Sequence, residues 1–312
     1  GVEEWCGCAW EAVGEVDAGR VGGVGAGDDE MSAGVGRLWG GGNALRAGQA
    51  VGAKRPPAGA VAVGVKQTIE LPANVITDRA LAGSDDEGAA WLFSGYATKG
   101  TFGGGFVYTN RASVSLGLVA GIEATMNHGK APLCQMLEDF KAHPAVAALI
   151  RGGKVVEHSG HMVPEGGLPI MPELTGDGVL LAGESAMMCV NLGYQVRGMD
   201  YAVAAGMHAG REAAKALEAG DTSKAGLAGY VRALDDSFVM KDLRQFAKVP
   251  AFMEGFDRMF SGYPEMVRDL MNGLFIVDGS PVGPLKKSML PIVKRVGVMN
   301  LLKDARGAMR AL

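Results

Sequence analysis

The chain has 312 residues, 48% of them apolar, with a net charge of −4 and an isoelectric point near 5.8. That is material for one large or two ordinary domains, with no general electrostatic pull toward nucleic acid or anionic lipid. Every long apolar run is interrupted before the roughly 18 residues that a membrane-spanning helix needs. Cys6, Cys8, Cys134 and Cys189 lack C-x-x-C spacing, which argues against a zinc or iron–sulfur site and makes a reduced, cytoplasmic setting the default.

In chain order, residues 1–55 read as an unassigned Gly-rich leader. Residues 1–52 hold 15 of the 49 glycines, without a period of 2 or 3.6. "RVGGVGAGDDE" (20–30) has the glycines of a dinucleotide loop but neither a strand before it nor an apolar helix after it. The leader is therefore expected to be disordered or the product of a shifted reading frame. The start "GVEEWCGCAW" lacks the basic-then-apolar order of a secretory signal.

From about residue 60 the texture changes. "AVAVGVKQTIEL" (60–71) reads as a strand, and "AAWLFSGYA" (89–97), "GGGFVYTN" (103–110) and "SVSLGLVAGIEA" (113–124) add three β-rich runs. In 131–150, Leu133, Met136, Leu137 and Phe140 recur at helical spacing, and His143–Pro144 stops or kinks that helix. "GKVVEHSGHMV" (153–163) is another strand. A buried strand follows at 179–182, then a long helix over about 199–219 ending at Gly220. Residues 221–312 read as mostly helical, with Pro250, Pro264, Pro281, Pro284 and Pro291 as breaks.

Chemistry concentrates in 179–200, "VLLAGESAMMCVNLGYQVRGMD". A strand running into Gly183 can bring bare backbone against a ligand. Glu184 then sits where α/β sheets present their ligands, and its carboxylate can accept hydrogen bonds from hydroxyl groups. The helix after Gly198 offers N–H groups and a positive dipole end to an electron-rich partner. Packing alone would equally explain the small residues. His158 and His161, three apart on a strand, point to opposite faces and make a poor metal pair.

The stretch "GDGVLLAGESAMMCVNLGYQVRGMDYAVAAGMHAGREAAKAL" (176–217) resembles the C-terminal flavin-binding segment of FixC-type flavoproteins, relatives of electron-transfer flavoprotein:quinone oxidoreductase. "VAVGVKQTIELP", "GGGFVYTN", "SLGLVAGIEA", "MLEDFKAHPAVAALIRGGKVVEHSGHMVPEGG", "YPEM" and "FIVDGSPVGPLKK" resemble that family too, in its order, over about residues 58–312. The resemblance implies a mixed α/β (α+β) fold, the C-terminal part of a two-domain FAD-dependent oxidoreductase. It divides the chain into a β-rich substrate or quinone domain (56–175), an FAD-binding strand–loop–helix (176–220) and a helical C-terminal region (221–312). The implied partners are a two-subunit electron-transfer flavoprotein, a small ferredoxin and quinone. The protein would be cytoplasmic or peripheral at the inner face of a membrane, with no nucleic-acid partner. Absence of the cluster-binding cysteines of the quinone oxidoreductases suits the FixC branch.

Carried over residue by residue, Gly183, Glu184 and Ser185 fall where the family approaches the FAD ribityl and phosphate region. The family's usual acid there is one methylene shorter. Asn191, Gly193, Gly198 and Met199 match the loop and helix start beside the flavin ring. Gly103 and Gly104 match a glycine pair lining the quinone pocket, with a β-bulge as the other reading. Glu165–Gly166–Gly167 matches a turn near the active cavity, or is a plain turn. The cofactor does the redox chemistry, so no side chain is named as catalytic. The family's opening strand and G-x-G-x-x-G turn have no counterpart, which suggests a truncated copy. The alternative is a remnant that binds no FAD and keeps at most a docking surface. The tail 281–312, with seven basic residues against Asp304 alone, suits a partner or membrane face, or an ordinary solvated helix.

Overall fold

The computed structural model describes residues 34–36, 56–128, 131–193, 195–281 and 283–312, so Cys6, Cys8 and the glycine run of 20–30 lie outside it. Gly34–Gly36 is a short strand, β1. A five-stranded antiparallel sheet follows, made of β2 (Val61–Glu70), β3 (Ala90–Phe93), β4 (Gly103–Thr109), β5 (Ser113–Gly121) and β6 (Lys154–Pro164) in the order β3-β4-β5-β2-β6. Along β4 fully and partly buried residues alternate, the mark of a sheet with one well-covered face. Register places Val65 opposite Leu118, and Leu118 opposite Gly105.

Helices α1 (Ala73–Ala80), α2 (Ile122–His128), α3 (Leu133–Ala142) and α4 (Pro144–Ile150) accompany this sheet. Met136, Leu137 and Phe140 of α3 join Ile76, Val146, Val65, Ile69, Leu116 and Leu118 in one core. Their spacing of three and four is what lets one helix face bury them together. The Phe140 ring meets Phe93 edge-on, with centroids 5.0 Å apart. His143 ends α3 and starts α4 at once: its ring nitrogen accepts from the Ala145 N–H, and Pro144 occupies the first helical position. The apolar run at 113–124 is strand only to Gly121. Its last residues turn into α2, because a short apolar run does not by itself separate strand from helix.

A second sheet is small. β8 (Val179–Leu181) pairs antiparallel with β7 (Thr175–Gly176) and parallel with β1, Gly34 opposite Val179. Parallel neighbours need a crossover connection, and here the crossover is the whole five-stranded sheet with its helices. Beyond β8 come a hairpin, β9 (Val190–Asn191) with β10 (Val196–Arg197), and α5 (Met199–Glu218), α6 (Ala228–Asp236) and α7 (Phe238–Gln245). Tyr201, Ala205 and Ala209 of α5 pack with Leu181, Met188, Tyr230 and Leu234 in a separate core. The Tyr230 hydroxyl, buried, donates to the Leu181 carbonyl at 2.8 Å, which ties α6 to β8.

The C-terminal third is helical: α8 (Val249–Glu254), α9 (Gly262–Phe275), α10 (Leu285–Val296) and α11 (Val298–Ala311). Four of its five prolines, Pro250, Pro264, Pro281 and Pro284, stand at the breaks between helices. Pro250 and Pro264 lie in first turns, where the missing N–H costs no internal hydrogen bond, and Pro284 caps α10. Pro291 is tolerated inside α10. α11 is anchored by Asp304, which accepts from Arg258 Nε (2.7 Å) and Nη2 (2.6 Å) and from the Tyr263 hydroxyl (2.6 Å). Gly307 lets α11 lie on Phe252, whose ring would stand 2.6 Å from a Cβ there. No described helix is long and apolar enough to cross a membrane.

The Arg258 hydrogen bond holds the Asp304 carboxyl below its ordinary range, with Tyr263 adding to it against the opposing effect of burial. Its contribution is therefore present above the ordinary carboxylate pKa and lost as pH falls through the lowered one. Asp304→Ala should cost about 1–3 kcal/mol, measured as a shift in urea midpoint, and the variant should lose less stability than the wild type as pH falls, since Asp139, Glu157 and Asp269 are lowered in both.

Candidate functional site

β8 stops at Leu181, and Gly183 opens a short 3-10 turn, Gly183–Ala186. Gly183 has φ +64°, and a Cβ there would lie 2.9 Å from the Ala202 Cβ of α5. The close approach that glycine permits is thus made by the protein's own helix. Ser185 and Ala186 are buried in the same turn, which closes with Met187 in the left-handed region and the Met188 N–H on the Gly183 carbonyl (3.1 Å). Glu184 is half-buried, and its carboxyl has no hydrogen-bond or ion-pair partner among the described residues. Burial pushes it up to about 7.

The chain then passes Cys189 into the β9–β10 hairpin. Asn191 is buried; its side-chain oxygen accepts from the Gly193 N–H (2.9 Å), shaping a turn in which Gly193 has φ +82°. Met253 of α8 packs against Gly193, where a Cβ would be 3.1 Å from its methyl carbon. Gly198 starts α5 and supplies no side chain to cap it, while a Cβ there would be 3.3 Å from Cys189 Sγ. Met199, the first helical residue, is exposed. Gly183, Glu184, Ser185, Asn191, Gly193, Gly198 and Met199 therefore all belong to one neighbourhood around the start of α5.

Gly103 and Gly104 belong to another. Both sit in the regular β4–β5 ladder, without a bulge. Gly103 has φ +139°, and Cβ atoms at 103 and 104 would meet the Val119 and Phe93 carbonyls at 2.1 and 2.7 Å. Their bare backbone accommodates the sheet itself. Met259 touches both neighbourhoods: its methyl lies 3.6 Å from a Cβ at Gly193, and its carbonyl accepts from Ser94 Oγ at 3.3 Å. His158 and His161 do lie on opposite faces of β6. His158 contacts the Gln67 amide at 3.1 Å, and His161 is lowered by burial and then by Lys66. No metal-binding group of three His, Cys, Asp or Glu occurs among the described residues.

Two features went unread in the sequence. Arg197, just before α5, donates to Asp200 (2.9 Å) and Asp242 (2.5 Å) and lies 4.6 Å above the Tyr201 ring. The Arg–x–x–Asp spacing at a helix start was the available signal. Glu165, noticed only as part of a turn, is 5% exposed, with Oε1 3.4 Å from Asn191 Nδ2 and Oε2 without a partner among the described residues.

A model of the ETF-QO/FixC family C-terminal domain matches residues 249–312. The protein FixC of Salmonella typhi is 50% identical over 287 residues, covering 92% of this chain and 66% of that protein. Two proteins of Escherichia coli K12 are each described as a probable electron transfer flavoprotein-quinone oxidoreductase. YdiS is 47% identical over 91% of this chain and 66% of its own, and YgcN 33% identical over 94% and 69%. The chain belongs to the ETF-QO/FixC family.

The chain spans about two thirds of the length of these ETF-QO/FixC relatives. An alignment of 287 residues is longer than the stretch from 58 to the C-terminus, so the family likeness runs back into the segment left unassigned above, which contains β1. The donor set fits part of a flavin nucleotide. Glu184 offers a carboxyl to hydroxyl groups, and α5 offers the positive end of a 20-residue helix. Gly183 offers no open backbone, because Ala202 covers it. The packing makes a direct prediction. Gly183→Ala should cost about 1–3 kcal/mol from backbone strain and more from the overlap with Ala202. Gly178→Ala, at φ +69° with nothing within 4 Å, should show the strain alone. Urea denaturation of the two variants measures the difference.

Proposed function

We infer that the chain serves an FAD-dependent electron-transfer oxidoreductase of the FixC type, passing electrons from an electron-transfer flavoprotein to quinone or a ferredoxin. The observation that carries this reading is the half-buried, unpartnered carboxyl of Glu184 beside the start of α5, in a chain half identical to a FixC protein. FAD, when bound, supplies the redox chemistry. The residues supply position. Glu184, near half ionisation at neutral pH, either accepts from or donates to a hydroxyl. The start of α5 favours electron-rich groups, and the Asn191–Gly193 turn shapes the approach to it. Met187 and Met199 add polarizable apolar surface around the turn.

The names of the relatives support the electron-transfer flavoprotein and quinone as partners; the ferredoxin rests on the sequence resemblance alone. Peripheral membrane contact is supported by the C-terminal surface. Phe275, Ile276, Val277, Met299, Leu302 and Met309 are exposed there, and the one acid of 281–312, Asp304, is buried on Arg258, leaving the tail's outer surface basic.

The purified 312-residue chain incubated with FAD should turn yellow and retain the flavin bands after gel filtration. Glu184→Ala should bind FAD about tenfold more weakly, the worth of one hydrogen bond to a carboxylate, with its urea midpoint nearly unchanged. A colourless protein that excess FAD does not reconstitute would overturn FAD binding by this chain and leave the docking-surface reading.

A further inference from the structure

We propose that Glu165 is a positioning residue with two states: as a neutral carboxylic acid it holds the β9–β10 hairpin against the end of the five-stranded sheet, and on ionising it releases that hairpin. The backbone around it is fixed. The Glu165 N–H donates to the Ala60 carbonyl at 2.8 Å, and the next residue, Gly166, bridges Val190 of β9. Gly167 then turns with φ +56° against the Cys189 carbonyl and Pro250 of α8. Glu165 thus sits where the large sheet, the hairpin and the C-terminal helices meet.

Its side chain continues the connection. Carboxyl Oε1 faces the Asn191 amide, and the Asn191 oxygen holds the Gly193 N–H. A chain of two side chains therefore runs from the end of β6 to the turn that leads into α5. The same carboxyl is poorly prepared for charge. It has one donor at 3.4 Å, its second oxygen is buried without a partner, and a buried carboxylate needs several donors to persist. The titratable groups nearby are acidic. Cys189 faces it from the β8–β9 connection, and Glu184 and Asp200 act on that same thiol from the 183–186 turn and α5. None compensates a negative charge, and no cation is paired with Glu165 among the described residues.

Burial accordingly raises the carboxyl to about 7, with Asn191 opposing the shift. A carboxyl raised on folding contributes stability that is whole below its ordinary value of 4.5 and is lost as pH rises through about 7. The hairpin should loosen over that interval. If the 183–199 segment takes FAD, a consequence that rests on the reading above, FAD binding is linked to a proton held at Glu165.

Hydrogen–deuterium exchange of full-length protein, corrected for intrinsic rates, tests the device between pH 5.5 and 8.5. In the wild type, protection of amides 190–198 should fall about tenfold or more across this range. Glu165→Gln, a neutral isostere, should keep its protection throughout, while Glu165→Ala should lack it at every pH. A flat wild-type profile, or a Gln variant that loses protection like the wild type, overturns the proposal. FAD titration by fluorescence quenching at pH 6 and pH 8 adds an independent reading. Glu184 titrates in both proteins, so wild-type affinity should fall with pH more steeply than the Gln variant's, and equal pH dependence in both also overturns the proposal. Absence of FAD binding at both pH values rejects the cofactor reading alone, since the exchange profile still decides the role of Glu165.

Discussion

The approach of α5 to the turn after β8 is the contact on which the rest of the molecule depends. Gly183 and Ala202 meet at a distance that leaves no room for another methyl group, and Ala205 and Ala209 continue the small-residue surface along the helix. Close packing is sensitive to single methyl groups, so this surface sets where α5 begins and which way it points. Tyr230 on the Leu181 carbonyl and Arg197 on Asp242 then fasten the following helices to the same place. The chemistry available at Glu184 exists because α5 is brought to it.

Around that contact the molecule has two cores and a shared boundary. The five-stranded sheet buries its face against α1, α3 and α4, while β8 and α5 to α8 enclose the other core. Phe102 reaches across, stacking edge-on against Phe260 with centroids 5.1 Å apart. Glu165, Val190 and Met259 stand along the same boundary. Glu165 is buried there with Asn191 as its one hydrogen-bond partner among the described residues, and that gives the protonation of its carboxyl structural weight.

Much of this was legible in the residues, but unevenly. Met199–Glu218 was readable because alanine-rich helical spacing and a glycine terminus agree. The stop at His143–Pro144 was readable from proline geometry, although not that His143 would cap a second helix. The prolines after 249 marked the helix boundaries except at Pro291, which lies inside α10. A proline at a first turn and one that ends a helix look alike until the neighbouring residues are folded. Gly183, Gly193 and Gly198 lie in turns around the start of α5, yet glycine says only that something comes close. At Gly183 that something is Ala202, and at Gly103 it is the Val119 carbonyl.

Strand and helix periods, turn chemistry and the family likeness are properties of the chain read locally, and they determined the element order and membership of the ETF-QO/FixC family. Tertiary structure alone decided that Gly34–Gly36 lies parallel to Val179–Leu181, and that Glu165 faces Asn191 while Arg197 reaches Asp242. Those partners are 26 or more residues apart along the chain. No local pattern encodes such pairings, because they arise only when separate apolar faces are buried together and the polar groups caught between them must find what partners remain.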